Sequence, residues 1–571
     1  MLAFIDVVTR INNVIWHDYV LYIVLGVGVL FTIWTKLCQF RALTHGVAVT
    51  RGVYDRAQDP GAINHFQALS AALSATVGLG NIGGVALAIS LGGPGAVFWM
   101  WMIGLAGMAI KTTEVTLSML YRNTDDPDNP HGGPMFVAKK AFKEWGLGGL
   151  GTVVGGIFCL TLLTSAVTGG NMFQSWNVAD ITFSYFGVPQ IATGIVLAVL
   201  VGMVIIGGIK RIGHVAGRLV PFMCLMYVAA ALYVVVVNID QVPAIFGLIF
   251  TGAFGTLEAQ GAFIGGTAGY AFLWGMKRAL FSSESGQGSS PIAHSAAKTD
   301  EPVREAVVAG LEPFIDTLVV CSLTAFVILS SGVWQRGPDA MFAPPPAVTR
   351  TAGGTWTLDT TAPPPLAGGA WKPGDNVVVI LSSDPNPSTG NSLTTITGVV
   401  SQRDGALAVE WTPVASASQP ALVDGGAYIG YKGATLTARA FDATTEGLGK
   451  WLVTLAAWLF AISTMISWSY YGEQGMIYLL GQKSVLPYKF VYCMLIVVAA
   501  LPQLVRTDKE LDALTSLGTG VMLWANIPIM LVFGAIAMRA YHAYMRKLDN
   551  GEFHPHRAPP LEDVVDGRDV E

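Results

Sequence analysis

Long apolar stretches divided by short polar ones run through most of this chain, and eleven of them come near the roughly 20 residues that a bilayer-crossing helix needs. They fall at 19–39, 67–91, 95–121, 149–175, 189–209, 216–238, 261–282, 306–333, 448–479, 487–505 and 512–541. Each is predicted to be a membrane-spanning helix. Between the eighth and ninth lies a different kind of polypeptide, residues 334–447, with APPPAV, TAPPPL and many Thr and Gly. Its alternating runs, DNVVVILSS, SLTTITGVV, ALAVEW and AYIGY, have the period of half-buried strands and predict a small β-rich module. Residues 542–571 are polar, with proline and mixed charge, and are predicted to be a tail without packed structure.

Composition agrees with the pattern. Of 571 residues, 52% are hydrophobic and 12% charged, where a soluble chain has about a quarter charged. The net charge of −5 is too thinly spread to suggest a nucleic-acid partner. Cys38, Cys159, Cys224, Cys321 and Cys493 sit in apolar spans without a CxxC pair and read as small buried hydrophobes, not metal ligands. The first residues, MLAFIDVVTRINNVIWHDY, lack the basic region and cleavage site of a signal peptide, so the first span is predicted to stay in place. Lys36, Arg41, Arg51 and Arg56, then Arg122, Lys139, Lys140 and Lys143, and the later basic loops and tail all fall on one side of the eleven spans. Outside the insert, the other side keeps only Arg10, Arg506 and Lys509. Basic loops face the cytoplasm, so the N-terminus and the insert are predicted outside and the C-terminal tail inside.

The most informative span is SAALSATVGLGNIGGVALAISLGGPG, residues 70–95. Gly78, Gly80, Gly83 and Gly84, with Asn81 among them, occupy its middle. Each glycine costs about 0.8–1 kcal/mol against alanine in a helix interior. In hydrocarbon, freed backbone groups persist only where protein, ions or a wet cavity satisfy them. Two readings follow, a helix broken around a charged ligand and a helix packed closely through small residues. A second glycine-rich span, with GAFIGGTAG at 261–269, leads the last five spans as 67–91 leads the five before it. Setting aside the first span, ten remain as five plus five of opposite orientation. Interrupted helices at matching positions of two inverted halves point to a transporter binding site.

Several blocks resemble the alanine/glycine:cation (sodium:alanine) symporter family. They are FQALSAALSATVGLGNIGGVALAISLGGPGAVFWMW, GGPM at 132–135, GGIKRIGHVAGRLVPFM, RALFSSESGQGSSPIAHSAAKT, EPFIDTLVVCSLTAFVI and FAISTMISWSYYGEQ. They keep the family's order and cover nearly the whole chain outside the insert, on which the resemblance is silent. VGLGN at 77–81 is also similar to the unwound first core helix of neurotransmitter:sodium symporters. The resemblance implies an all-α polytopic fold: one extra N-terminal helix, a 5+5 inverted-repeat core and two broken helices. It implies that the amides of Leu79 and Gly80 hold a substrate carboxylate. Thr76 and Asn81 then ligate a sodium ion shared with that carboxylate, and the Ser74 and Val77 carbonyls with Ser463 and Thr464 form a second sodium site. Asn171 and Gln174 on the third core helix are amides able to take the ammonium group.

Spacing adds to this. Thr464 and Trp468 are four apart and share a helical face, where the indole can wall off long side chains. Phe263 and Thr267, flanking Gly265 on the second broken helix, form a similar pair. Lys111 and Glu114 are three apart and can pair. Asp316 lies inside a span as a structural or gating anchor, with Glu284 and His294 as expected neighbours. There is no GxxxxGK[ST] and no HExxH, which argues against a pump or a metalloprotease, and no repeated filter ring of a channel. The chain therefore reads as a carrier and not an enzyme. It is expected to import alanine, glycine or a similar small amino acid with sodium across a bacterial inner membrane, with membrane lipid as a further partner. A proton-coupled carrier is the alternative, and a channel the remoter one.

Overall fold

In a computed structural model, residues 2–255, 268–385, 392–403, 405–431, 433–501 and 508–568 are described. Seven helices among them are long and apolar enough to cross a membrane, and two bent pairs, Tyr19–Trp34 with Cys38–Thr50 and His65–Thr76 with Gly80–Gly92, raise the count to nine. The sequence reading placed eleven. The helix at 189–209 is present but runs only Gln190–Ile205, a rise of about 24 Å, short of the hydrocarbon thickness. The span at 261–282 begins outside the described residues, of which Ala268–Ser283 is helical. A further short helix, Val242–Phe254, lies where no span was predicted.

The first core helix, α1 (His65–Thr76), starts because Asn64 caps it, its side chain accepting from the Gln67 amide at 2.8 Å. It stops at Val77, whose ψ of 92° leaves the helical region. The chain resumes in a π-turn, Gly80–Gly84, continues as α2 (Val85–Gly92), and is bent by 52° across the break. Two other wide turns interrupt core helices, Thr168–Met172 and Phe314–Cys321. Such turns cluster at functional sites because they re-aim side chains. Here they carry Asn81, Asn171 and Asp316. Against the broken helix pack α3 (Gly95–Tyr121), α5 (Ala268–Ser283) and α7 (Leu448–Leu480), and across the cavity stand α4 (Phe173–Phe186) and α8 (Asp508–Asp549).

The insert contains an antiparallel five-stranded sheet, β1 (Ala340–Met341), β4 (Asn376–Ser382), β5 (Leu393–Arg403), β6 (Ala406–Thr412) and β7 (Ala421–Ile429), in the order β1-β7-β4-β5-β6. A separate hairpin joins β2 (Val348–Arg350) to β3 (Trp356–Leu358). Four strands coincide with the four alternating runs. Val377, Val379 and Leu381 on β4 share a small core with Ile396, Val400 and Val409. Three residues after β7 ends, the chain passes into helix α6 (Gly433–Thr444), which lies against the π-turn of the broken helix. Thr437 Oγ1 donates to the Ile82 carbonyl at 2.9 Å. A side chain at Gly83 would meet the Ala434 nitrogen at 2.8 Å, so glycine permits the approach.

Part of the polar C-terminal stretch is packed, contrary to the expectation of an unpacked tail. A short helix, Leu561–Asp566, buries Val564, whose carbonyl accepts from Asn64 Nδ2 at 2.7 Å, and Asp566 pairs with Arg218 at 2.7 Å. One buried apolar residue and polar contacts from Asn64, Gln67 and Arg218 anchor a segment whose composition alone looks solvated.

Candidate functional site

The break in α1–α2 forms one wall of a small internal cavity of about 30 Å³, lined among others by Thr76, Gly78, Gly80, Gln174, Thr464 and Trp468. Thr464 sits so close that a Cβ on Gly78 would lie 2.8 Å from its hydroxyl. Five polar atoms of its lining residues, Ser165 Oγ, Gln174 Oε1, Gln287 Oε1, Thr464 Oγ1 and Thr515 Oγ1, are buried without a hydrogen-bond partner. Buried polar atoms are nearly always paired, so these are open to whatever the cavity holds. The volume corresponds to about two waters. An amino acid enters only with movement of the lining helices.

The structure brings most of the expected residues together. Thr76, Gly80, Gln174, Thr464 and Trp468 line the cavity. Gly80 begins the resumed turn, where the leading amides of a helix lack internal partners and favour an anion. Leu79 and Val77 are buried beside it. Ser74 and Ser463 meet directly, Ser74 Oγ donating to the Ser463 carbonyl at 2.7 Å and Ser463 Oγ to the Ser74 carbonyl at 3.3 Å. Thr76 Oγ1 bonds back to the Ala72 and Leu73 carbonyls, both at 3.4 Å.

Asn81 points away from the cavity's centre. Its Oδ1 accepts from the Gly78 amide at 2.8 Å, bracing the break, and its Nδ2 donates to Asp316 Oδ1 at 2.5 Å. Asp316 also accepts from Ser282 Oγ at 3.1 Å and Thr317 Oγ1 at 2.8 Å. It is an anchor between the broken helix and its neighbours. Neither Glu284 nor His294 hydrogen-bonds it; His294 bonds Glu305 and Glu312 instead. Asn171 spends its Nδ2 on the Tyr492 carbonyl at 2.7 Å, while its Oδ1 is unpaired. Lys111 pairs with Glu114 at 3.7 Å and also with Glu312 at 3.4 Å. Phe263, Gly265 and Thr267 lie outside the described residues.

The lining also includes Ser165, Ser282, Gln287, Thr515 and Thr519, which sequence reasoning missed, and Glu284, which it placed beside Asp316 and not at the site. Thr515 and Thr519 carried a usable signal, two hydroxyls four apart on one face of an apolar helix. Glu284, Gln287 and their neighbours read as a polar loop, yet every residue from Ser282 to Ala297 is buried.

Apolar spans and a helix broken around a buried polar cavity are the features of a membrane carrier. The pattern of the sodium:alanine symporter family matches residues 1–357 and 414–558, and the chain belongs to that family. It is 33% identical over 541 residues to the sodium/alanine symporter AgcS of Methanococcus maripaludis, covering 95% of this chain and 97% of that one. It is 35% identical over 326 residues to the amino-acid carrier protein AlsT of Bacillus subtilis, covering 57% of this chain and 67% of that one. Among solved structures, MhsT in complex with L-phenylalanine aligns with a TM-score of 0.46 at 13% identity, over 84% of this chain and 97% of that one.

Proposed function

We propose that this chain is a secondary transporter that carries a small neutral amino acid, alanine or glycine, into the cell together with sodium by alternating access. The observation that carries this reading is the pairing of a glycine break with unpartnered buried oxygens across a small cavity. The backbone at Gly80 offers N–H groups to a carboxylate, and Gln174 Oε1 and Thr464 Oγ1 offer acceptors to an ammonium group or a sodium ion. Sodium is held by oxygens, and the Ser74 carbonyl with the Ser463 and Thr464 hydroxyls supplies them between α1 and α7. Trp468 limits the side chain to hydrogen, methyl or hydroxymethyl. The sodium:alanine symporter AgcS, alike over almost its whole length, supports the same pairing of ion and substrate. On this reading the chain sits in a bacterial inner membrane, N-terminus and insert outside, tail inside.

The test is uptake of labelled alanine into proteoliposomes with or without an inward sodium gradient. Accumulation above equilibrium that collapses without the gradient supports the reading. Accumulation that ignores sodium and follows a proton gradient overturns the sodium coupling, and no accumulation of any small amino acid overturns the assignment.

A further inference from the structure

A line of ionisable side chains runs through the protein from the central cavity toward the end rich in lysine and arginine. His65 Nδ1 meets Glu305 Oε2, and Glu305 Oε1 meets His294 Nδ1. His294 Nε2 lies 2.7 Å from Glu312 Oε1, and Glu312 Oε2 lies 3.4 Å from Lys111 Nζ. All five side chains are fully buried. At the far end, the partly exposed Asp55 carboxylate stands 3.8 Å from His65 Nε2, and burial holds its carboxyl above the ordinary range.

Counting protons shows what this line must hold. An ionised carboxylate only accepts, so each imidazole nitrogen bonded to one needs a proton unless the carboxyl carries it. Three such contacts exist, and two neutral imidazoles supply two protons. The chain therefore binds one more. With it, His65, Glu305, His294 and Glu312 sum to one negative charge, which Lys111 balances. Two further acids, Glu114 and Glu284, are then left without a balancing charge of their own. Glu114 stands 3.7 Å from Lys111 and accepts from Asn526 Nδ2 at 2.9 Å. Glu284 is on the cavity wall, where it accepts from Ser289 Oγ. It faces Lys111, Glu312, Asp316 and Tyr471, and Lys111 is the cation among these. Glu284 also takes a φ of 52°, a left-handed conformation uncommon outside glycine, where α5 ends and the chain turns along the cavity. Glu284 has no salt bridge among the described residues, and a buried carboxylate so placed is driven to bind a positive charge.

We propose that Glu284 is a proton-binding site facing the central cavity. No other reagent is needed: hydronium reaching the cavity gives its proton to the Glu284 carboxylate, leaving water and a neutral acid. The place of this site in a transport cycle rests on the reading above.

The purified full chain in lipid nanodiscs, followed by infrared difference spectroscopy across pH, tests the site without any substrate. The wild type is expected to show a protonated-carboxyl stretch that fades as pH rises. Glu284→Gln should lose it and Glu284→Asp should shift it. Ser289→Ala, a milder change that removes the hydroxyl donor to Glu284, should move the same band, which keeps the test usable if the Glu284 variants do not fold. A wild type with no such band, or a band that none of these substitutions alters, overturns the proposal. Sodium-driven alanine accumulation in that case leaves the transport reading standing. A titrating Glu284 band without alanine accumulation under either gradient supports the site and overturns the transport reading.

Discussion

Ser74 and Ser463, on different helices, each donate a hydroxyl hydrogen to the other's backbone carbonyl, at 2.7 and 3.3 Å. The exchange closes the seam between the broken helix and α7 beside the cavity. Ser463 Oγ has a second acceptor, the Phe460 carbonyl at 2.9 Å, so its contact with Ser74 is the weaker of two. A cation placed at this seam competes with two weak hydrogen bonds, each worth about 1 kcal/mol net. Ser463→Ala should raise the sodium concentration for half-maximal alanine uptake by about tenfold or more, with smaller change in the maximal rate. Uptake titrated against sodium checks this, and an unchanged half-saturation would remove Ser463 from the ion site.

Gly78 has room for a hydrogen and little else. Gly78→Ala places a methyl 2.8 Å from Thr464 Oγ1, closer than such contacts are found, at the point where the break must flex. Uptake should fall at least about tenfold. A double-mutant cycle with Thr464→Ala identifies the cause, because residues in contact show non-additive effects. If Gly78→Ala costs as much in the Thr464→Ala background as alone, the clash is not the reason.

Trp468 is held against the backbone of the Thr168–Met172 turn so tightly that a Cβ on Gly170 would lie 2.3 Å from the indole Cγ. Trp468→Ala should widen the cavity and let in larger neutral side chains such as leucine, narrowing the preference for alanine by about 10-fold or more. Competition of leucine against labelled alanine measures it. Gly170→Ala should instead push the indole inward and weaken alanine uptake.

Outside the membrane, burial and then the facing Asp300 carboxylate hold the Asp59 carboxyl above its ordinary range. Its partners are the Asp300 amide at 3.3 Å and Arg304 at 3.6 Å. An acid whose folded-state value is raised favours folding most when protonated. That contribution is complete below the ordinary carboxylate value and is lost as pH rises through the raised one. The thermal midpoint of the wild type should therefore decline over this window, and that of Asp59→Asn should decline less. Thermal-shift curves that stay parallel across the window would assign the pH dependence elsewhere.

How far the site could be read from sequence depended on whether its residues broke a local pattern. The break at Gly78–Gly84 was legible because glycines in an apolar span contradict the helix they occupy, and Thr464 and Trp468 because they share a face at a spacing of four. The strands of the insert were legible from their alternation. The line from His65 to Lys111 was not. Its members come from four separate segments, and Glu305 and Glu312 stand in stretches whose polarity looks like an ordinary loop and helix end. Only the fold shows that Ser282–Ala297 passes through the interior. The tail helix failed for the opposite reason: one buried valine, Val564, and a few polar contacts dock a segment too polar to suggest it.

The family pattern is interrupted between residues 357 and 414, and at that interruption Trp356 and Val414 exchange backbone hydrogen bonds at 2.8 and 2.9 Å. The departing and returning strands are thus already neighbours. The segment between them leaves and returns at one place, so a short turn could join its ends without stretching the chain around it. Because β7 and then α6 continue from that point to the broken helix, a reporter grafted there would sit one strand before the helix that makes the Thr437–Ile82 contact at the break.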